Sequence, residues 1–121
     1  MICTVLRGSG VGFDAKAFVK RLGVYPDAVY EKGFNACLVD HTNKDEFVQL
    51  FAEAVKHWSN VLEELSKNSI ERQIDIGVTV GTKDQYTCSI ALPVEVMKVL
   101  TDQGVQIVFS AYPASDETES S

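Results

Sequence analysis

The amino-acid sequence predicts an α+β domain built on a mainly antiparallel, twisted sheet with one long and two short helices, in the order βαββαββαβ. Three observations carry this. Across residues 74–80, Ile74, Ile76, Val78 and Val80 alternate with Asp75, Gly77 and Thr79, the period-two pattern of a strand with one face buried. Phe47, Leu50, Phe51, Ala54, Val55, Trp58, Val61, Leu62 and Leu65 recur at spacings of three and four. They form a single apolar stripe along roughly six helical turns, and such a face must cover a sheet. Residues 86–112 read as strand, helix and strand, with Pro93 suited to the first helical turn and Gly104 to the stop.

In chain order, residues 2–7 are β-rich and alternate, and the glycines from Gly8 to Gly12 then predict a flexible loop. Asp14 is a good N-cap for a short helix whose Phe18, Val19 and Leu22 share a face, and Gly23 suits the left-handed residue after its last turn. Tyr25-Pro26-Asp27 is a turn. Residues 28–30 and 34–39 are two strands joined around Glu31-Lys32-Gly33. The long helix opens at Asn43, which Glu46 follows at capping-box spacing. Residues 74–80 and 86–91, joined through 81–84, predict an antiparallel hairpin. In the last helix Val96, Met97 and Leu100 point to one side, and residues 105–112 are the closing strand. Residues 1–113 thus form one domain, and the polar, acidic 114–121 should be a disordered tail.

A chain of 121 residues can bury about 65% of its unfolded surface, enough to fold without disulfides or metals. Net charge is −6, which repels phosphate backbones and anionic lipid; the one basic cluster, Lys16, Lys20 and Arg21, lies on a short helix where a solvated face explains it. Neither nucleic acid nor membrane is therefore expected as a partner, and a basic protein suits the sign. The N-terminal run lacks the charged start and apolar length of a signal peptide, so the expected compartment is the cytoplasm. Cys3, Cys37 and Cys88 are odd in number and widely spaced, with no Cys-x-x-Cys, and read as buried free thiols in a reducing compartment.

Candidate chemistry is sparse. Gly8-Ser9-Gly10-Val11-Gly12 has neither dinucleotide nor P-loop spacing, and Asp14 places a negative charge where a phosphate would sit. Asp40, His41, Glu53 and His57 suggest a metal or acid–base site, but the chain has only two histidines and neither joins a ligand-converging helical spacing. Cys37 and His41 lie about 13 Å apart in an extended strand, and no Gly-x-Ser-x-Gly elbow is present. No catalytic residue, metal ligand or cofactor is assigned, and no enzymatic activity is expected. Trp58 reads as core packing, while Tyr25, Tyr30 and Tyr86 lie near turns or sheet ends, where tyrosines often carry interfaces.

Leu22-Gly23-Val24, Pro26-Asp27, the aromatic and Lys-Gly of Tyr30 to Gly33, and the closing Leu92-Pro93-x-Glu95, Gly104 and Tyr112 follow one another in an order that resembles a widespread bacterial family catalogued only as a domain of unknown function. The likeness spans nearly the whole chain; Tyr30 stands where the family has tryptophan, and Leu92 where it has a serine cap. It implies an α+β fold and no established catalytic residues. Small acidic bacterial proteins of this kind resemble immunity proteins, which block a toxin by direct binding.

The leading expectation is accordingly a non-enzymatic acidic protein-binding module, an immunity or inhibitor protein for a basic toxin domain such as a nuclease. Its candidate contact residues are Tyr30, Lys32, Asp40, Glu46, Glu53, Glu63 and Glu64. The alternatives are a small-ligand regulatory module, using the glycine loop and the sheet end near Tyr30 and Lys32, and a homo-oligomer paired through edge strands.

Overall fold

The computed structural model describes residues 1–80 and 89–113, apart from the His41 side chain. The strands are β1 (Ile2–Ser9), β2 (Ala28–Tyr30), β3 (Gly33–Thr42), β4 (Glu71–Val80) and β5 (Gln106–Pro113). They form one sheet in the order β2-β3-β1-β4-β5. β1 lies at its centre, antiparallel to β3 and β4; β2 pairs antiparallel with β3, and β5 runs parallel to β4. The helices are α1 (Ala15–Leu22), α2 (Lys44–His57), α3 (Ser59–Lys67) and α4 (Val94–Asp102).

Alternation along β1 sorts the two faces. Ile2, Thr4, Leu6 and Gly8 are buried, whereas Cys3 and Val5 are half-buried and Arg7 is exposed. The buried set continues through Phe34, Ala36, Ile74, Ile76 and Val78 and joins Phe18, Phe51, Leu62, Val96 and Leu100 in a single core. All four helices thus cover one face of the sheet, as the sequence predicts. Asp14 Oδ1 accepts from Ala17 N–H at 3.1 Å, Asn43 Oδ1 accepts from Glu46 N–H at 3.0 Å, and Gly23 takes φ 67° after α1.

Four expectations change. The long stripe is laid on two helices, with Trp58 (φ −94°, ψ 7°) between them. Its apolar face stays continuous, because Trp58 N–H donates to Ala54 O at 2.9 Å and Leu62 N–H to Trp58 O at 3.0 Å. The break falls where the Ser59 hydroxyl donates to Lys56 O at 2.8 Å, side-chain back-bonding of the kind that bends helices. The hairpin is also replaced: β4 spends one edge on β1 and the other on β5, and residues 89–91 join no strand. The remainder of that strand, its turn and the acidic tail lie outside the described residues.

Gly8 and Ser9 belong to β1 rather than to a loop. Gly8 is required there by close approach, since a Cβ on it would sit 2.7 Å from Phe34 Cε1. Finally, Leu50 and Met97 lie at the margins of their apolar stripes and are 40% and 47% exposed. Among the described residues no helix is long and apolar enough to cross a membrane.

Candidate binding surface

The helix-free face of the sheet carries a polar row across three strands. Arg7 Nη1 on β1 donates to Asp75 Oδ2 on β4 at 3.0 Å, and Asp75 Oδ1 accepts from the Ser110 hydroxyl on β5 at 2.9 Å. A cleft of about 550 Å³ runs from Arg7 to Arg72 and Gln106. Its cations are already engaged, Arg7 by Asp75 and Arg72 by the carbonyls of Gln103 and Ile70, so it offers little to an anion.

Further along the same face, Cys3, Cys37 and Asp40 converge, with their sulfur and carboxylate atoms all within 4.8 Å of one another. Regular alternation would send Cys37 and Asp40, three residues apart, to opposite faces. The first of two register shifts in the β1–β3 ladder changes that parity: Val5 faces Cys37 but Thr4 faces Val39, so Leu38 is an extra residue between them, and a second extra residue follows before Thr42, which faces Ile2. The thiols are half-buried, not buried as the sequence suggests, and Cys88 lies outside the described residues.

Burial, followed by the negative potential of Cys3, Asp40 and Asp27 and a hydrogen bond with Cys3, pushes the Cys37 thiol up from 9.0 to about 11. Alkylation of Cys37 in the reduced, metal-free protein, followed residue by residue by mass spectrometry, should accordingly reach half-maximal rate near pH 11 rather than 9.0. An ordinary midpoint would disprove the suppression. Because the unfolded thiol ionises first, this group lowers stability as pH rises through that window.

Between β3 and α2 lies a groove of about 380 Å³ whose walls include Leu38, Asp40, Leu50, Glu53, His57 and Trp58. It joins two candidates from opposite elements, the exposed Asp40 and Glu53, around an apolar floor. Glu53 Oε1 accepts from Gln49 Nε2 at 3.3 Å, which leaves its second oxygen and its charge available to a cation. Trp58 is half-buried, its indole packed on the core and its ring edge-to-face with His57 at 6.2 Å.

The remaining candidates disperse. Glu46 is exposed in the first turn of α2. Glu63 pairs with Lys67 at 3.2 Å, and Glu64, only 22% exposed, lies 3.6 Å from Arg21 and 3.9 Å from Lys67. Glu64 is therefore neutralised and not an exposed acidic contact. Tyr30 is 56% exposed, and its hydroxyl accepts from Asn35 Nδ2 at 3.4 Å. Lys32 shares a cleft with Gly10, Val11 and Gly12, but Gly10 N–H is spent on Lys32 O at 3.1 Å and the Asp14 carboxylate caps α1, so backbone donors for an anion are scarce there.

Comparison with known protein families, with curated proteins and with solved structures finds no match. The likeness to the domain-of-unknown-function family rests on the residues quoted for it alone.

Proposed function

We propose that this protein is a non-enzymatic cytoplasmic module that binds a basic protein, and specifically an immunity or inhibitor protein that neutralises a bacterial toxin domain by direct contact. The observation that carries the reading is the groove between β3 and α2, where Asp40 and Glu53 flank Leu50 and Trp58. An exposed apolar anchor beside two exposed carboxylates matches a lysine or arginine side chain, whose stem packs on the floor while its head reaches the acids. The net charge of −6 adds long-range attraction that speeds encounter.

The test is a pull-down of the tagged protein from its native host at low and moderate salt, followed by affinity measurement on the captured partner. Asp40→Lys combined with Glu53→Lys should weaken binding at least about tenfold and flatten its salt dependence. Glu63→Lys should change little, because Glu63 already faces Lys67. Unchanged affinity in the double variant, or a pull-down that recovers only the bait, would sink the reading.

Self-association is the second reading, favoured by one observation: β5 borders the sheet with Phe109 59% and Tyr112 54% exposed. A molecular mass that rises with concentration in the absence of any partner would favour it.

A further inference from the structure

We propose that Cys3, Cys37 and Asp40 form a binding site for a thiophilic divalent cation, zinc above all, on the helix-free face of the sheet. Their ligand atoms already lie within 4.8 Å of one another. A tetrahedral zinc ion with two thiolates at ~2.3 Å and a carboxylate oxygen at ~2.0 Å holds those atoms about 3.5–3.8 Å apart. Closure therefore requires a contraction of about 1.3 Å at most, which half-buried cysteines and an exposed aspartate can make by small side-chain rotations. Two sulfurs and one oxygen select zinc over magnesium or calcium, which take oxygen ligands.

The scaffold is suited to the task. Cys3 stands on the central strand and Cys37 and Asp40 on its neighbour, with the extra residue between Cys37 and Val39 bringing Asp40 to the face of the thiols. The β3 backbone is held at this point by Cys37 N–H, which donates to Asp27 Oδ2 at 2.6 Å. Three protein ligands leave a fourth position for water or a group from a bound molecule. A disulfide fits the placement less well. Val5 faces Cys37, so Cys3 lies diagonally across the ladder. Diagonal Cα atoms are about 7–8 Å apart, beyond the ~4.4–6.8 Å that a disulfide spans.

Histidine spacing, the usual signal in a sequence, plays no part here, and the site is independent of the proposed protein partner. Asp40 borders both the thiol cluster and the groove, so partner affinities are to be measured in chelator and metal binding on the isolated protein. A failure of either idea then leaves the other untouched.

The reduced, full-length protein is titrated with Co²⁺, which reports thiolate ligation by a charge-transfer absorption, and the ion is then displaced with Zn²⁺. One equivalent is expected to saturate the band, in the wild type and in a Cys88→Ser background where Cys3 and Cys37 are the remaining thiols. Cys3→Ser and Cys37→Ser should each abolish it. Asp40→Asn, at an exposed position where misfolding is not at issue, should weaken zinc binding by at least about tenfold, since removing even a supporting partner of a ligand costs ~10–100-fold. Bound zinc should also protect both thiols from alkylation. Absence of the band in the folded wild type, its survival in Cys37→Ser, or undiminished affinity in Asp40→Asn would overturn the site.

Discussion

Phe34→Ala is expected to lower the unfolding free energy by about 3–5 kcal/mol, the cost of deleting a buried phenylalanine and leaving a cavity that the strands cannot close. Phe34 is 1% exposed and connects the sheet to α1 through aromatic contacts: its ring stacks on Phe18 at 6.2 Å and tilts against Phe13 at 6.4 Å. Across the ladder it faces Gly8, and its ring occupies the space a side chain there would need. Gly8→Ala should therefore cost about 1–3 kcal/mol in the wild type through overpacking. In the Phe34→Ala background the same change should cost far less or stabilise, because the new methyl enters the vacated space. Urea unfolding of the four proteins measures the coupling, and simple additivity would contradict this account of Gly8.

Arg72→Ala should cost about 2–4 kcal/mol, because it removes two charge-assisted hydrogen bonds, each worth less than the usual ~1.5–3 kcal/mol where solvent reaches a site that is only partly buried. Nε donates to Gln103 O at 2.5 Å and Nη1 to Ile70 O at 2.6 Å. Gln103 caps α4, so the guanidinium ties the end of that helix to β4 and places a positive charge where the helix dipole favours one. Gly104 completes the fit, taking φ 62° and leaving a gap in which a Cβ would lie 2.7 Å from Arg72 Nη2. Arg72→Lys keeps the charge but not the fork and should recover less than half of the loss. Full recovery in denaturant unfolding would mean that charge alone matters.

The same geometry explains which parts of the fold were legible in advance. Asp14, Asn43, Gly23 and Gly104 mark helix ends through interactions within a few residues of chain, and the alternation of residues 74–80 reports directly on a one-sided strand. The helix breaks at Trp58, beside a serine hydroxyl that competes for one carbonyl, while the apolar spacing runs on undisturbed. The hairpin after β4 was misleading because antiparallel pairing is the default for neighbours joined by a tight turn, whereas β5, beyond α4, takes that edge in parallel.

The candidate site shows the same division. Glu63 and Lys67, four apart on a helix, announce their pairing; Arg21, from another helix, does not announce its approach to Glu64. Asp40 and Glu53 meet because a strand packs against a helix, and Cys3, Cys37 and Asp40 meet because one extra residue in β3, between Cys37 and Val39, reverses the parity of side-chain direction.

By itself, the sequence determined the α+β class, the one-sided amphipathic elements, the helix ends and the acidic charge, because each follows from interactions between residues close in the chain or from composition. Only the tertiary structure decided the strand order, the division of the long helix, the pairing of Glu64 and the convergence of two thiols with a carboxylate. Those depend on ladder register and on which surfaces pack together, and a single extra residue in a ladder turns side chains to the other face without leaving a mark in the local pattern.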